Sequence, residues 1–159
     1  MKYALFLQTA RLLNEQMHIK PLLFGSLGLE RRLGKDLHAD DIDVLIPERF
    51  LDSEWDKLFS LMNGEGWRLY DEEEHAFKKD GVSLAFAPLE NLEPFAGVHI
   101  CAIPTVTDGG ADYMLLGPED YLKVYQASSK DGYRRDVKNK QDSEKIKLIK
   151  EVLNKTERN

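Results

Sequence analysis

Leu22-Leu23-Phe24-Gly25-Ser26-Leu27-Gly28-Leu29-Glu30-Arg31-Arg32-Leu33-Gly34-Lys35, followed shortly by Asp40-Asp41-Ile42-Asp43-Val44-Leu45-Ile46, is the stretch that decides the fold of this 159-residue chain. Leu22–Phe24 reads as a buried strand, Leu27–Leu33 as a short helix ended by Gly34, and Asp41–Ile46 as a second strand that stops at Pro47. Side chains alternate along a strand, so Asp41 and Asp43 share a face. Two carboxylates so placed can grip a hard divalent cation such as magnesium. Gly25-Ser26, at the end of one strand and the start of a helix, offers backbone N–H groups and a hydroxyl to phosphate. The combination points to metal-assisted chemistry on a nucleoside triphosphate. A plainer alternative stands beside it. Acidic residues fill 28 of 159 positions, so an Asp-x-Asp match arises by chance, and Asp40, Asp41 and Asp43 also fit a solvated loop and strand start.

Outward from this stretch, the chain alternates helices and strands. A first helix is expected over Tyr3–Gln16, before Pro21. Leu51–Asn63 is amphipathic, with Ser53 as its expected N-cap and Gly64 and Gly66 closing it. Trp67–Tyr70 and His75–Lys79 read as strands, and Asp80-Gly81 as a hairpin turn into Val82–Ala87. Ala102–Val106 and Tyr113–Leu116 form a further expected pair around Asp108-Gly109-Gly110. Gly117-Pro118-Glu119 opens a helix to about Ser129, with Pro118 in its first turn. A last helix spans Gln141–Asn154, with Ile146, Ile149 and Leu153 on one face. The expected fold class is α+β: a mixed sheet flanked by helices over about residues 1–116, with a helical C-terminal part over about 117–159, together one domain.

Bulk properties exclude several function classes. No apolar run approaches the roughly 20 residues of a bilayer span. The first residues, Met1–Leu7, run into Gln8, Arg11, Asn14 and Glu15 and read as a helix, not a signal peptide. The single Cys101 cannot form an internal disulfide, which fits a cytoplasmic protein. His18, His38, His75 and His99 are too dispersed for a zinc site. The net charge of −6 is unevenly spread. Residues 1–129 carry 12 Lys/Arg against 22 Asp/Glu, and residues 130–159 carry 10 against 6. An acidic body argues against broad nucleic-acid binding, which requires many neutralised phosphates. The basic end either faces a triphosphate or is a solvated helix.

The stretch Leu23–Lys35 with Asp40-Asp41-Ile42-Asp43 resembles the start of the DNA polymerase β-type nucleotidyltransferases. It is most similar to the small enzymes that modify lincosamides and aminoglycosides. Those show a glycine pair, an aromatic and a small residue, an acid, a Leu-Gly-basic step, and a carboxylate pair flanking an aliphatic residue. Here Ser26 stands for the second glycine and Leu27 for the aromatic; Gly-Ser is common in the wider superfamily. The resemblance implies that Gly25 and Ser26 hold phosphates and that Asp41 and Asp43 bind magnesium. A hydroxyl of a small-molecule acceptor would then attack the α-phosphorus and release pyrophosphate.

It also implies a third carboxylate on a neighbouring strand. The corresponding strand is Gly81–Pro88, whose second face carries Ser83, Ala85 and Ala87. Ala85 stands where the acid is expected. Glu90, just past the strand, is the candidate to reach in as a catalytic group. Loss of acid–base help, typically worth about 10²–10⁴-fold, would leave a binder of a nucleotide or of a protein partner, for example an antitoxin-like protein. Among basic residues, Arg31, Arg32 and Lys35 are candidates to offset phosphate charge or pair with the acids. Lys145 is a candidate phosphate contact, as are Tyr133, Arg134, Arg135, Lys138 and Lys140. The segment Lys140–Ile146 resembles the Lys-Asp-rich helix of small nucleotidyltransferases, and equally fits an exposed helix N-capped by Asp142. Asp71-Glu72-Glu73-Glu74 is either a lure for a cationic acceptor or a solvated turn, and His75 either a base or a strand histidine.

Overall fold

The computed structural model describes residues 1–130 and 139–158. Its elements, in chain order, are α1 (Lys2–Met17), β1 (Leu22–Phe24), α2 (Gly25–Leu33), β2 (Ile42–Ile46), α3 (Trp55–Gly64), β3 (Arg68–Asp71), β4 (Ala76–Lys79), β5 (Val82–Pro88), α4 (Leu92–Ala96), β6 (Thr105–Asp108), β7 (Ala111–Met114), α5 (Pro118–Lys130) and α6 (Asn139–Arg158). The strands form a seven-stranded sheet in the order β3-β4-β5-β2-β1-β7-β6. It is mixed. β1 is antiparallel to β2 and parallel to β7, β2 is parallel to β5, and the outer strands pair as antiparallel hairpins. The expected α+β architecture is what the chain adopts.

The period-two pattern of the strands divides the core. Leu23, Ile42, Val44, Ile46, Leu84 and Phe86 face one side, where they pack with Phe6, Ala10 and Leu13 of α1 and Leu58 and Met62 of α3. Leu22 and Leu45 face the other side and pack with Leu29 of α2, Leu92 of α4, Tyr121, Val124 and Tyr125 of α5, and Ile149 of α6. The expected apolar face of the last helix is therefore real, with Ile146 and Leu153 half-buried beside Ile149. On this second side Asp43, Ala85 and Ala87 line a cleft beneath α5 and α6.

Several boundaries differ from the sequence reading. α3 starts at Trp55, not Leu51. Glu48–Leu51 instead forms a 3-10 turn that buries Phe50, and the irregular backbone of Asp52 ends it. Ser53 is not the cap; Glu54 precedes the helix, and its carboxylate is taken by Arg49 at 3.2 Å and Lys57 at 3.1 Å. β6 and β7 lie closer to their Gly109-Gly110 turn than expected, because Asp108 already pairs with Ala111. Ala102, expected to open the strand Ala102–Val106, instead ends a 3-10 turn over Ile100–Ala102, and α4 has no counterpart in the sequence reading. α6 is longer at both ends than Gln141–Asn154.

Candidate active site

The site is built at the junction of β1 and α2. Gly25 opens α2 with φ of 64°, the left-handed region that disfavours any side chain. Space imposes the same choice. A Cβ at Gly25 would run into Asp43 Oδ2 and lie 3.2 Å from both Asp43 Cβ and Cγ. The bare backbone thus lets the Gly25-Ser26 turn lie against the Asp43 carboxylate. Among the described residues no side-chain hydrogen bond caps the N-terminus of α2, and uncapped N–H groups at a helix start suit an anion.

A tyrosine holds this junction from below. The fully buried Tyr121 of α5 donates its hydroxyl to Gly25 O at 3.3 Å, with Leu23 O at 3.5 Å. Burial pushes its phenol well above the ordinary tyrosine range; Tyr125 and the Asp43 charge push the same way, while Arg32 opposes them. Gly28 makes the approach possible, since a Cβ there would meet Tyr121 OH and come within 2.6 Å of Leu23 O.

Asp41 lies immediately before β2, and Asp43 lies within it. The register sets Asp43 beside Phe24 on β1 and beside Ala85 on β5. From the other side, Lys145 of α6 donates to Ser26 Oγ at 2.8 Å, and its ammonium lies 5.1 Å from the centre of the Tyr125 ring. One turn earlier, Asp142 is 1% exposed and accepts from Ser128 Oγ at 3.1 Å. Asp142 is therefore a buried cleft residue in the first turn of α6, not the cap of an exposed helix.

These groups line one cleft of about 520 Å³, together with Asp40, Glu74, Val124, Phe95 and the small floor residues Ala85 and Ala87. Among the described residues, five carboxylates (Asp40, Asp41, Asp43, Glu74, Asp142) and the Lys145 ammonium line it. Carboxylates lining a cleft draw cations to it. A divalent ion carried with the phosphates would be drawn to them. Asp41 and Asp43 suit magnesium, a hard ion commonly held by one or two carboxylates with water and substrate phosphate completing its shell. Among the described residues no group of three or more His, Cys, Asp or Glu side chains is placed to hold a metal ion.

The structure thus brings Gly25, Ser26, Asp41, Asp43 and Lys145 together. Asp40, Glu74 and Asp142 join them in the lining, while several other described candidates lie elsewhere. Glu90 is exposed, and both its oxygens accept from the Glu48 N–H, at 2.9 and 3.1 Å, where they cap the 3-10 turn. Lys35 is exposed and does not line the cleft. Arg31 stacks on Tyr3 at 3.9 Å, and Arg32 is spent on the carbonyls of Leu115 and Leu116. His75 packs edge-on against Trp55 with ring centres 5.0 Å apart. Tyr133, Arg134, Arg135 and Lys138 lie outside the described residues, as does the side chain of Lys140. Sequence reasoning missed Tyr121, Tyr125 and Ser128. Their spacing of four and three residues marks one stripe of α5, a signal that core packing alone also produces.

No family model matches the chain. Solved structures with the same architecture share little sequence with it. It aligns with ANT(2")-Ia in complex with adenylyl-2"-tobramycin over 95% of this chain and 90% of that one, with a TM-score of 0.58 and 16% identity. An antigenic nucleotidyltransferase-like protein from Paracoccidioides brasiliensis aligns over 93% of this chain and 75% of that one, with a TM-score of 0.63 and 14% identity. The chain therefore has the nucleotidyltransferase fold. A curated relative, the uncharacterized protein YnaI of Bacillus subtilis (strain 168), is 44% identical over 151 residues, which is 95% of this chain and 97% of YnaI. Such identity along nearly the whole of both chains makes this protein a member of the YnaI family.

Proposed function

We propose that this protein transfers a nucleoside monophosphate from a nucleoside triphosphate to a hydroxyl of a small-molecule acceptor, with magnesium. The observation that carries this reading is the convergence on one cleft of the Gly25-Ser26 turn, Lys145 at 2.8 Å from Ser26 Oγ, and the Asp41 and Asp43 carboxylates. Ser26, Lys145 and the first N–H groups of α2 bind and orient the leaving phosphates. Asp41 and Asp43 hold the ion. When bound, it supplies neutralisation of the charge that develops on the phosphoryl oxygens. The chain's own contribution is positioning: it fixes reacting groups in line and in a walled site. Tyr121 acts through Gly25, keeping the turn against Asp43. The substrate supply and Cys101 fit a cytoplasmic protein, and no described helix is long and apolar enough to cross a membrane.

Titration calorimetry with ATP, GTP, CTP and UTP, with and without magnesium, tests this reading. Magnesium-dependent binding is expected to at least one of them, and its abolition in the Asp41→Ala, Asp43→Ala double variant. Undiminished binding in that variant would falsify the site. A second reading has its own observation: the register places Ala85, not an acid, beside Asp43. On that reading the cleft binds a nucleotide or a protein partner without turnover, and nucleotide binding occurs with no pyrophosphate release for any acceptor.

A further inference from the structure

A hydroxyl that attacks phosphorus must lose its proton, and a positioned carboxylate is a suitable acceptor. Among the described residues the cleft offers five carboxylates. Asp41 and Asp43 are committed to the ion, and Asp142 is buried against Ser128. That leaves Asp40 and Glu74, neither of which has a carboxylate hydrogen bond or ion pair to another described residue.

Strand register separates these two. β1 is antiparallel to β2 with Phe24 opposite Asp43, so the Gly25-Ser26 turn lies toward Asp41 and Asp40. β5 is parallel to β2, with Ala85 beside Asp43 and Ala87 beside Leu45. His75 O accepts from Phe86 N, and Ala76 pairs with Ala85. Glu74 therefore enters the cleft from the β3–β4 turn at the Ala85–Ala87 end, opposite the phosphate turn. In a displacement at phosphorus the attacking and leaving oxygens lie roughly in line. If pyrophosphate departs toward Ser26 and Lys145, the acceptor hydroxyl approaches from the Glu74 end. The methyl side chains of Ala85 and Ala87 leave it room there.

Resting on the transferase reading, we propose that Glu74 is the catalytic base, supplying from a turn the carboxylate that Ala85 does not supply from the sheet. The acceptor O–H proton passes to the Glu74 carboxylate as the oxygen bonds the α-phosphorus. The bond from that phosphorus to the bridging oxygen breaks, and pyrophosphate leaves with the electron pair.

The test uses the full chain with magnesium–ATP and water, glycerol or tobramycin as acceptor, reading pyrophosphate release and, separately, ATP binding. Glu74→Gln is expected to slow release by about 100-fold or more with binding unchanged. Glu73→Gln, on the same turn but outside the cleft, changes neither. Adding Ala85→Asp to Glu74→Gln restores at least about tenfold of the lost rate, because it returns a base to the reacting end. Wild-type rates in Glu74→Gln overturn the proposal. So does a wild-type chain that binds magnesium–ATP but releases no pyrophosphate with any of the three acceptors. Failure of ATP, GTP, CTP and UTP alike to bind with magnesium overturns the nucleotide reading itself, and where another of them binds it replaces ATP in this test.

Discussion

Replacing Gly25 and Gly34 by alanine separates backbone strain from site geometry, since both residues take the same conformation in different surroundings. Gly25 has φ of 64° and Gly34 has φ of 68°. A left-handed conformation costs an L-residue about 1–2 kcal/mol, partly offset because alanine restricts the unfolded chain by about 0.4–1 kcal/mol. Gly34→Ala meets nothing within 4 Å, so a net loss of about 1 kcal/mol is its whole effect. Gly25→Ala carries the same strain, and its new methyl also needs the space of Asp43 Oδ2, with Asp43 Cβ and Cγ at 3.2 Å. The carboxylate can swing aside more readily than backbone, so the added loss of stability is modest. The ligand geometry is what gives way. Urea denaturation should show both variants destabilised, each by a Tm-equivalent of about 2–4 °C per kcal/mol. Calorimetry should show magnesium–nucleotide affinity reduced at least about tenfold, 1.4 kcal/mol, in Gly25→Ala and unchanged in Gly34→Ala. Wild-type affinity in a folded Gly25→Ala protein would refute the argument that Gly25 exists to let Asp43 hold its position.

Three further expectations follow from the same contacts. Lys145→Ala should weaken magnesium–nucleotide binding by about 10- to 100-fold, since charge-assisted hydrogen bonds are worth about 1.5–3 kcal/mol; Lys35→Ala, exposed and outside the cleft, should leave it unchanged in the same titration. Gly28→Ala should cost about 1–3 kcal/mol in denaturant melts by overpacking, and Tyr121→Phe should not rescue it, because the backbone Leu23 O remains 2.6 Å from the new methyl. Asp142→Ala should cost about 1–3 kcal/mol by leaving the buried Ser128 hydroxyl without its acceptor, while Asp142→Asn, which keeps a side-chain oxygen, should lose less.

What was legible in the sequence was what short-range chemistry dictates. Leu22–Phe24 is a strand as read, and Gly34 ends α2 in the left-handed conformation expected of it. Asp80-Gly81 joins β4 to β5, and Val82, Leu84 and Phe86 form the core face that their alternation implied. The Asp41 and Asp43 pair, the Gly25-Ser26 turn and the alanine beside Asp43 were all visible as letters. What was not legible depends on contacts distant in sequence. Glu90 was a candidate by proximity to β5, but the N–H of Glu48, 42 residues away, takes its carboxylate. Arg32 looked available to phosphate until the chain end of β7 brought two carbonyls to it, 83 and 84 residues on. Lys145 reaches Ser26 across 119 residues, and only the packing of α6 on α5 makes that contact possible. Tyr121 could not be separated from ordinary core tyrosines, because its role lies in which carbonyls it meets.

The acidic balance of the cleft explains why one ion decides the account. Five carboxylates among the described residues line it, so the account expects nucleotide to bind with a divalent cation. The relatives add the fold and the family and leave the chemistry to be measured, since function resides in the site.

The most direct measurement is a crystal structure of the protein with magnesium and a non-hydrolysable triphosphate analogue of whichever nucleotide binds. The account predicts phosphates at Ser26 and Lys145, with the ion joined to Asp41 and Asp43. A nucleotide bound elsewhere, or bound in the cleft without an ion on those two carboxylates, would contradict it.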